Sequence, residues 1–130
     1  MDARWRENQL EKMLNKIDRS KSNSGGCDFW NENLYCNQKG GGPKYGRLKV
    51  TYPNGQKKLM LAHRFMYMLH HNTFDLPSHM HVSHICHNSL CINPLHLSLE
   101  PNNVNIERNS CKNTVPLQCM HHEGYPDCIF

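Results

Sequence analysis

The chain has 130 residues and a net charge of +4, enough for one small domain. Only 38% of the residues are hydrophobic, so we expect a thin apolar core that bound metal helps to stabilise. No apolar run is long enough to cross a bilayer, which excludes a membrane span, and the mild positive charge supports nucleic-acid binding only weakly.

The N-terminal segment predicts an amphipathic helix followed by a linker. Four apolar residues recur there at three- and four-residue intervals: Leu10, Met13, Leu14 and Ile17. Residues 19–26 are polar and end in two glycines, which is typical of a linker. We therefore expect a helix and linker over residues 1–26 and a folded domain over residues 27–130.

A basic β-hairpin is predicted next. Apolar and polar residues alternate over residues 45–52, a turn signal follows at 53–55, and residues 56–62 supply a returning strand. The candidate DNA-binding residues are the basic ones expected on its exposed side: Arg47 and Lys49, with Lys57 or Lys58. Such a ribbon can enter the major groove of double-stranded DNA, although an ordinary solvated face has the same pattern.

The rest of the chain predicts a helix, two short strands and a final helix. The first helix covers residues 63–71, and one strand ends near His84. The second strand lies at 97–99, and Pro101 opens the last helix, with Asn105 about one turn into it. This order of elements can bring His84 and Asn105 face to face.

Seven cysteines are interleaved with histidines along the chain. Their odd number and the lack of an apolar N-terminal signal segment favour a reducing, intracellular compartment over a disulfide framework. Zinc binds both thiolate and imidazole, so the mixture favours zinc sites.

The first predicted zinc site is Cys86-x4-Cys91-x4-His96, three ligands on a tight loop. Its fourth ligand is expected from Cys27 or Cys36. Because four protein ligands close a zinc shell, such a site is structural and holds no reactive water.

The second predicted zinc site is Cys111-x7-Cys119-x-His121 with Cys128 beyond it. His122 is an alternative to His121. With both sites filled, the chain would carry two structural zinc ions.

His84 and Asn105 remain outside the zinc sets but flank the first of them. A neutral imidazole can take a proton from water. An asparagine oxygen suits Mg²⁺, which keeps most of its waters and adds phosphate oxygens to its shell. Together these groups predict phosphodiester hydrolysis, with His84 activating the water and Asn105 holding a catalytic Mg²⁺.

Two stretches, S-H-I-C-H-N-S-L-C-I-N-P-L-H-L at 83–97 and N-N-V-N-I-E-R-N-S-C at 102–111, resemble the His-Cys box homing endonucleases. These belong to the ββα-metal (His-Me finger, HNH-like) nucleases. The resemblance also includes Y-G-R-L-K-V at Tyr45 and L-A-H-R at Leu61. It implies an α+β fold, a small zinc-stabilised ββα-metal domain with an antiparallel DNA-binding hairpin, here preceded by an N-terminal helix.

The resemblance also implies a role for each matching residue. His84 would be the general base, Asn105 the Mg²⁺ ligand, and Arg47 the hairpin arginine near the scissile phosphate. Cys27 is favoured over Cys36 in the first zinc shell. The two implied zinc sets are Cys27, Cys86, Cys91 and His96, and Cys111, Cys119, His121 and Cys128.

The chain departs from the family pattern in two places. The second zinc set is more widely spaced, above all between His121 and Cys128. The C-terminal extension through which a family enzyme dimerises has no counterpart after Phe130, so a homodimer is expected to use the N-terminal helix instead.

We therefore expect a nuclear, Mg²⁺-dependent endonuclease that acts on double-stranded DNA. The alternative is a catalytically weak or inactive zinc-stabilised DNA-binding module derived from such a nuclease. A zinc-built protein-interaction module is a third reading, and it predicts no salt-dependent DNA affinity.

Overall fold

The computed structural model describes residues 1–21, 23, 25–38 and 40–130. Its elements follow in chain order: α1 (Ala3–Leu14), β1 (Cys36–Asn37), β2 (Tyr45–Thr51), β3 (Lys57–Leu61), α2 (Ala62–His70), β4 (Met80–His84), β5 (Leu97–Pro101) and α3 (Asn102–Lys112). This arrangement confirms the predicted α+β fold class; the short strand β1 and a one-turn 3-10 helix at Pro94–His96, before β5, were not predicted. The predicted linker contains Ser22 and Ser24, which lie outside the described residues.

The first sheet is antiparallel in the order β1-β2-β3, and its two long strands form the predicted hairpin. Lys57 pairs with Thr51 and so shares the exposed face that carries Lys49. Lys58 instead pairs with Val50, whose side chain is buried. By this register Lys57 and Lys58 leave β3 on opposite faces, but both side chains are exposed, so a role of Lys58 in DNA binding stays a prediction.

The core is built mainly by α2, which buries one side of its surface against the first sheet. Phe65 and Trp30 are buried at its centre, together with Met13 from α1. The N-terminal helix therefore contributes to this common core. Arg6 adds a polar link, since its Nε donates to the carbonyl of Leu69 at 2.6 Å, at the end of α2 where carbonyls lack helical partners. The domain boundary near residue 27 stays a prediction.

β4 and β5 form a second, two-stranded antiparallel sheet, and α3 packs against it. His84 ends β4, opposite Leu97 at the start of β5. Pro101 occupies the position just before α3, where its fixed φ of −66° directs the chain into the helix. In the described part of the chain, no helix has both the length and the apolar character to cross a membrane.

Gly46 in β2 lets the indole ring of Trp30 pack directly against the strand backbone. A Cβ added there would lie 2.6 Å from the ring of Trp30, which is 1% exposed. We expect Gly46→Ala to lower the free energy of unfolding by about 1–3 kcal/mol, because the buried indole must shift. Urea denaturation would measure this. Gly25→Ala is the control, since its added Cβ would come no closer than 3.7 Å to Ile129; equal losses for both variants would contradict the steric explanation.

Candidate metal centres and active-site cleft

The first Cys/His cluster joins the loop between β4 and β5 to the segment that precedes Trp30. The ligand atoms of Cys27, Cys86, Cys91 and His96 all lie within 4.8 Å of one another, and all four residues are buried. The Nδ1 atom of His96 is 3.4 Å from the Sγ of Cys27 and 3.6 Å from that of Cys91. In a tetrahedral zinc shell, a nitrogen and a sulfur ligand lie about 3.6 Å apart, so this cluster could hold zinc.

Backbone pairing explains why Cys27, and not Cys36, reaches this cluster. Phe29 forms a β-bridge with Cys91, and the amide of Ile92 donates to the carbonyl of Asp28 at 2.7 Å. This short pairing lays Cys27 beside the loop cysteines. Cys36 lies on β1, where its Sγ contacts the carbonyl of Glu32.

The thiols of the first cluster are close enough to share protons. A hydrogen bond from Cys91 lowers the pKa of Cys86 to about 5, whereas the pKa of Cys91 is raised because its proton is held against Cys86 and its side chain is buried. Burial likewise raises the pKa of Cys27. Three thiolates at such distances repel one another, and a divalent cation between them would remove that repulsion.

The second cluster forms where the chain after α3 folds back on the helix. The ligand atoms of Cys111, Cys119, His122 and Cys128 lie within 4.8 Å of one another. The Nε2 atom of His122 is 3.5 Å from the Sγ of Cys111 and 3.7 Å from that of Cys128. These distances again match a tetrahedral zinc shell, so the second cluster could also hold zinc.

The histidine of the second cluster is His122, which corrects the prediction of His121. His121 has a left-handed backbone with φ of 59°, and its exposed ring bonds to Asp127 at 3.0 Å. The reversed backbone turns this ring outward and the next one inward. His122 is fully buried, and its Nδ1 lies 3.2 Å from Glu107 Oε2, a partner that would fix the ring for metal binding through Nε2.

Substitution of the two neighbouring histidines separates their roles. We expect His122→Ala to lower the zinc content from about two ions per chain to about one, because the second shell loses a buried ligand. His121→Ala should leave the content at about two. Elemental analysis of the purified proteins measures both, and zinc loss in His121→Ala with retention in His122→Ala would reverse the assignment.

His84 and Asn105, which belong to neither Cys/His cluster, line one cleft between β4 and α3. The cleft has a volume of about 470 Å³, and its lining includes His84, Asn105, His87 and Lys112. The Nδ2 atom of Asn105 donates to the Oγ of Ser83 at 2.6 Å, which leaves the amide oxygen of Asn105 free of that bond. The cleft therefore combines an imidazole, an oxygen ligand suited to Mg²⁺ and a positive charge.

His84 is held as a neutral imidazole. Burial lowers its pKa to about 4, the backbone of Cys91 acts in the opposite direction and His87 lowers it further. Its Nε2 is buried and has no hydrogen-bond partner in the part of the chain that the structure describes. Near pH 7 the ring is therefore uncharged and can accept a proton.

His63 packs directly against His84. Their ring centroids are 4.2 Å apart, and the ring centroid of Tyr45 lies 6.0 Å from that of His84. Burial, with the neighbouring His84, lowers the pKa of His63 well below its usual value. Two neutral rings in contact fix the plane of the imidazole that faces the cleft.

Arg47 lies on the same strand face as Tyr45 but is not among the residues that line the cleft. Its Nε is buried without a partner among the described residues, and its amide donates to the carbonyl of Tyr35 at 3.0 Å. The exposed residues Lys49 and Lys57 continue this face along the hairpin. The structure thus places Arg47 between the cleft and the basic hairpin surface.

Three polar residues of the site were not identified from the sequence: Ser83, Glu100 and Arg108. Glu100 is fully buried on β5, and its Oε1 accepts from the Nε of Arg108 at 2.8 Å. The alternation of Ser98 and Glu100 within a short strand was the available signal, because it places two polar groups on one face of a buried sheet.

One family model matches residues 29–129, and its description is the zinc-binding loop region of homing endonuclease. The match includes β1 through α3, the whole second Cys/His cluster, and the first cluster except for Cys27, which lies just before it. Comparison with curated proteins and with solved structures gave no match.

Proposed function

The chain belongs to the homing endonuclease family that shares this zinc-binding loop region, and from that membership we propose that it is a Mg²⁺-dependent endonuclease acting on phosphodiester bonds of double-stranded DNA. One observation carries the proposal: a neutral His84 and the amide of Asn105 line the same cleft, each outside the two Cys/His clusters. A module that only bound structural zinc would not require His84 and Asn105, because neither residue belongs to a Cys/His cluster.

In the proposed reaction His84 takes a proton from the attacking water. A neutral imidazole has one unprotonated ring nitrogen, and that nitrogen would accept the proton. The contact with His63 keeps the ring from turning during the transfer.

Asn105 would hold the catalytic Mg²⁺ through Oδ1. One protein oxygen suffices because this ion keeps several waters and takes further ligands from phosphate. When bound, Mg²⁺ stabilises the charge that develops on the phosphate and on the leaving oxygen.

The basic hairpin face is the proposed DNA-binding surface. Lys49 and Lys57 are exposed and directed away from the core, and they would neutralise phosphates on the hairpin side of the cleft. Arg47, whose buried Nε has no partner among the described residues, is suited to a phosphate oxygen near the cleft. Zinc in both Cys/His clusters would hold the loop and the C-terminal segment in place around α3.

A second candidate is a DNA-binding module that no longer cuts. Arg47 does not line the cleft, which favours this candidate, because its guanidinium would then bind a neighbouring phosphate and not the one that reacts. This protein would bind DNA with the same salt dependence but leave it intact.

The test is nicking of supercoiled plasmid by zinc-loaded protein in Mg²⁺, in Ca²⁺ and without added metal. We expect cutting only with Mg²⁺ and binding under all three conditions. EDTA is avoided because it would also remove zinc from the clusters. DNA binding without nicking in Mg²⁺ or Mn²⁺ would exclude the nuclease and support the DNA-binding module. A protein that does not bind DNA would contradict both candidates.

A further inference from the structure

Asn105 is attached to a buried side chain of the neighbouring strand. Its Nδ2 lies 2.6 Å from the Oγ of Ser83, which comes directly before His84 on β4 and is 1% exposed. An asparagine amide can present either its oxygen or its nitrogen to a cleft, and only the oxygen can bind a cation. The partner of the amide therefore decides whether the residue can serve as a metal ligand.

The Ser83 hydroxyl has a second polar neighbour, the carboxyl group of Glu100. Burial alone would raise the pKa of Glu100, but hydrogen bonds from Arg108, Ser83 and Ser98 outweigh it and lower that pKa, so the group is a carboxylate. A carboxylate only accepts hydrogen bonds, and a hydroxyl has a single proton. A hydroxyl that directs its one proton at this carboxylate can only accept from Asn105, in agreement with the 2.6 Å contact between Nδ2 of Asn105 and Oγ of Ser83.

Because the Ser83 hydroxyl accepts a hydrogen bond from Asn105, it selects the orientation of the Asn105 amide. Of the two ends of the Asn105 amide, only Nδ2 can donate to Ser83, so Oδ1 is turned away from it. We propose that Ser83 is a positioning residue that fixes the Oδ1 atom of Asn105 toward the cleft for a divalent cation. This inference rests on the proposed function, and it adds a residue that the family match does not assign.

Arg108 holds Glu100, the residue farthest from Asn105 in this series of polar contacts. Arg108 binds Glu100 through two nitrogens, and it also donates to the carbonyl of Pro126 at 2.7 Å and to the Sγ of Cys128 at 3.3 Å. The carboxylate that receives the Ser83 proton is therefore held from the second Cys/His cluster. An anchored acceptor keeps the direction of the hydroxyl, and hence of the amide, constant.

Ser83→Ala tests the proposal, and Ser98→Ala is its matched control. Ser98 faces Ser83 across the two strands and, like Ser83, helps to lower the pKa of Glu100, but among the described residues it makes no hydrogen bond with Asn105. With zinc-loaded proteins, we expect Ser83→Ala to weaken Mn²⁺ binding, followed by electron paramagnetic resonance, about 10- to 100-fold. Ser98→Ala should change the affinity less than about twofold.

A double variant and the cleavage assay sharpen the result. In an Asn105→Asp background, Ser83→Ala should change Mn²⁺ affinity less than about twofold, because either carboxylate oxygen can bind. In plasmid nicking, Ser83→Ala should raise the half-saturating Mg²⁺ concentration while the rate at saturating Mg²⁺ stays close to that of the wild type.

Each other outcome has a defined meaning. If the wild type binds Mn²⁺ and cuts, but Ser83→Ala and Ser98→Ala behave alike, the positioning role is wrong and the proposed function stands. Loss of zinc or of folding in Ser83→Ala alone would also overturn it, because the role would then be structural. If the wild type binds Mn²⁺ but never cuts, the nuclease proposal fails. The ratio of the Mn²⁺ affinities of the wild type and Ser83→Ala still tests the positioning role.

Discussion

We expect His84→Ala to nick plasmid DNA about 10²- to 10⁴-fold more slowly than the wild type, the usual contribution of a positioned proton acceptor. The neutral, half-buried ring of His84 is the proposed acceptor of the water proton, and alanine offers no such group. DNA affinity should change little, because the binding surface lies on the hairpin. Single-turnover nicking and a salt-dependent binding assay measure the two effects separately.

His81→Ala is the control for this substitution. His81 lies on the same strand, β4, but its side chain is exposed and is not part of the cleft lining. It should retain wild-type cutting. A His84→Ala protein with normal zinc content that cuts as fast as the wild type would exclude His84 as the base.

The order of helices and strands could be predicted from the sequence because it depends on local patterns. The alternation in residues 45–52 and the turn signal at 53–55 gave the hairpin, and both strands are present as β2 and β3. The sequence could not predict which of Lys57 and Lys58 shares a face with Lys49, because that depends on the register of pairing between β2 and β3.

The choice between His121 and His122 also lay beyond the sequence. The two residues are adjacent and chemically identical, and only the left-handed backbone at His121 decides which ring turns inward. A non-glycine residue in that conformation has no reliable sequence signal. By contrast, Cys86, Cys91 and His96 occupy one tight loop, where spacing alone limits the arrangement.

The buried pair of Glu100 and Arg108 could not be recognised because its members are eight positions apart in two different elements. In the sequence each looks like a solvated charge, and only the packing of α3 on β5 removes both from water. The same packing gives Ser83 its importance, since a serine in a strand has no assigned partner until its neighbour across the sheet is known.

The largest loss of stability is expected from breaking this pair. Glu100→Gln leaves the guanidinium of Arg108 buried without its counter-charge, and such substitutions typically cost about 3–5 kcal/mol. The loss should exceed that of Gly46→Ala, because an uncompensated charge cannot be relieved by small shifts in packing. Urea denaturation at fixed free zinc measures it, since bound zinc also contributes to the folded state.

Two comparisons separate burial from charge. Lys21 and Glu32 form an ion pair that is largely exposed, so Glu32→Gln should have little effect on unfolding. The double variant Glu100→Leu with Arg108→Met should lose less than Glu100→Gln alone, because no unpaired charge remains in the core. If the double variant is instead the less stable protein, the contacts of Arg108 with Pro126 and Cys128 matter more than its charge pair. The C-terminal segment would then depend on Arg108 as well as on its metal ligands.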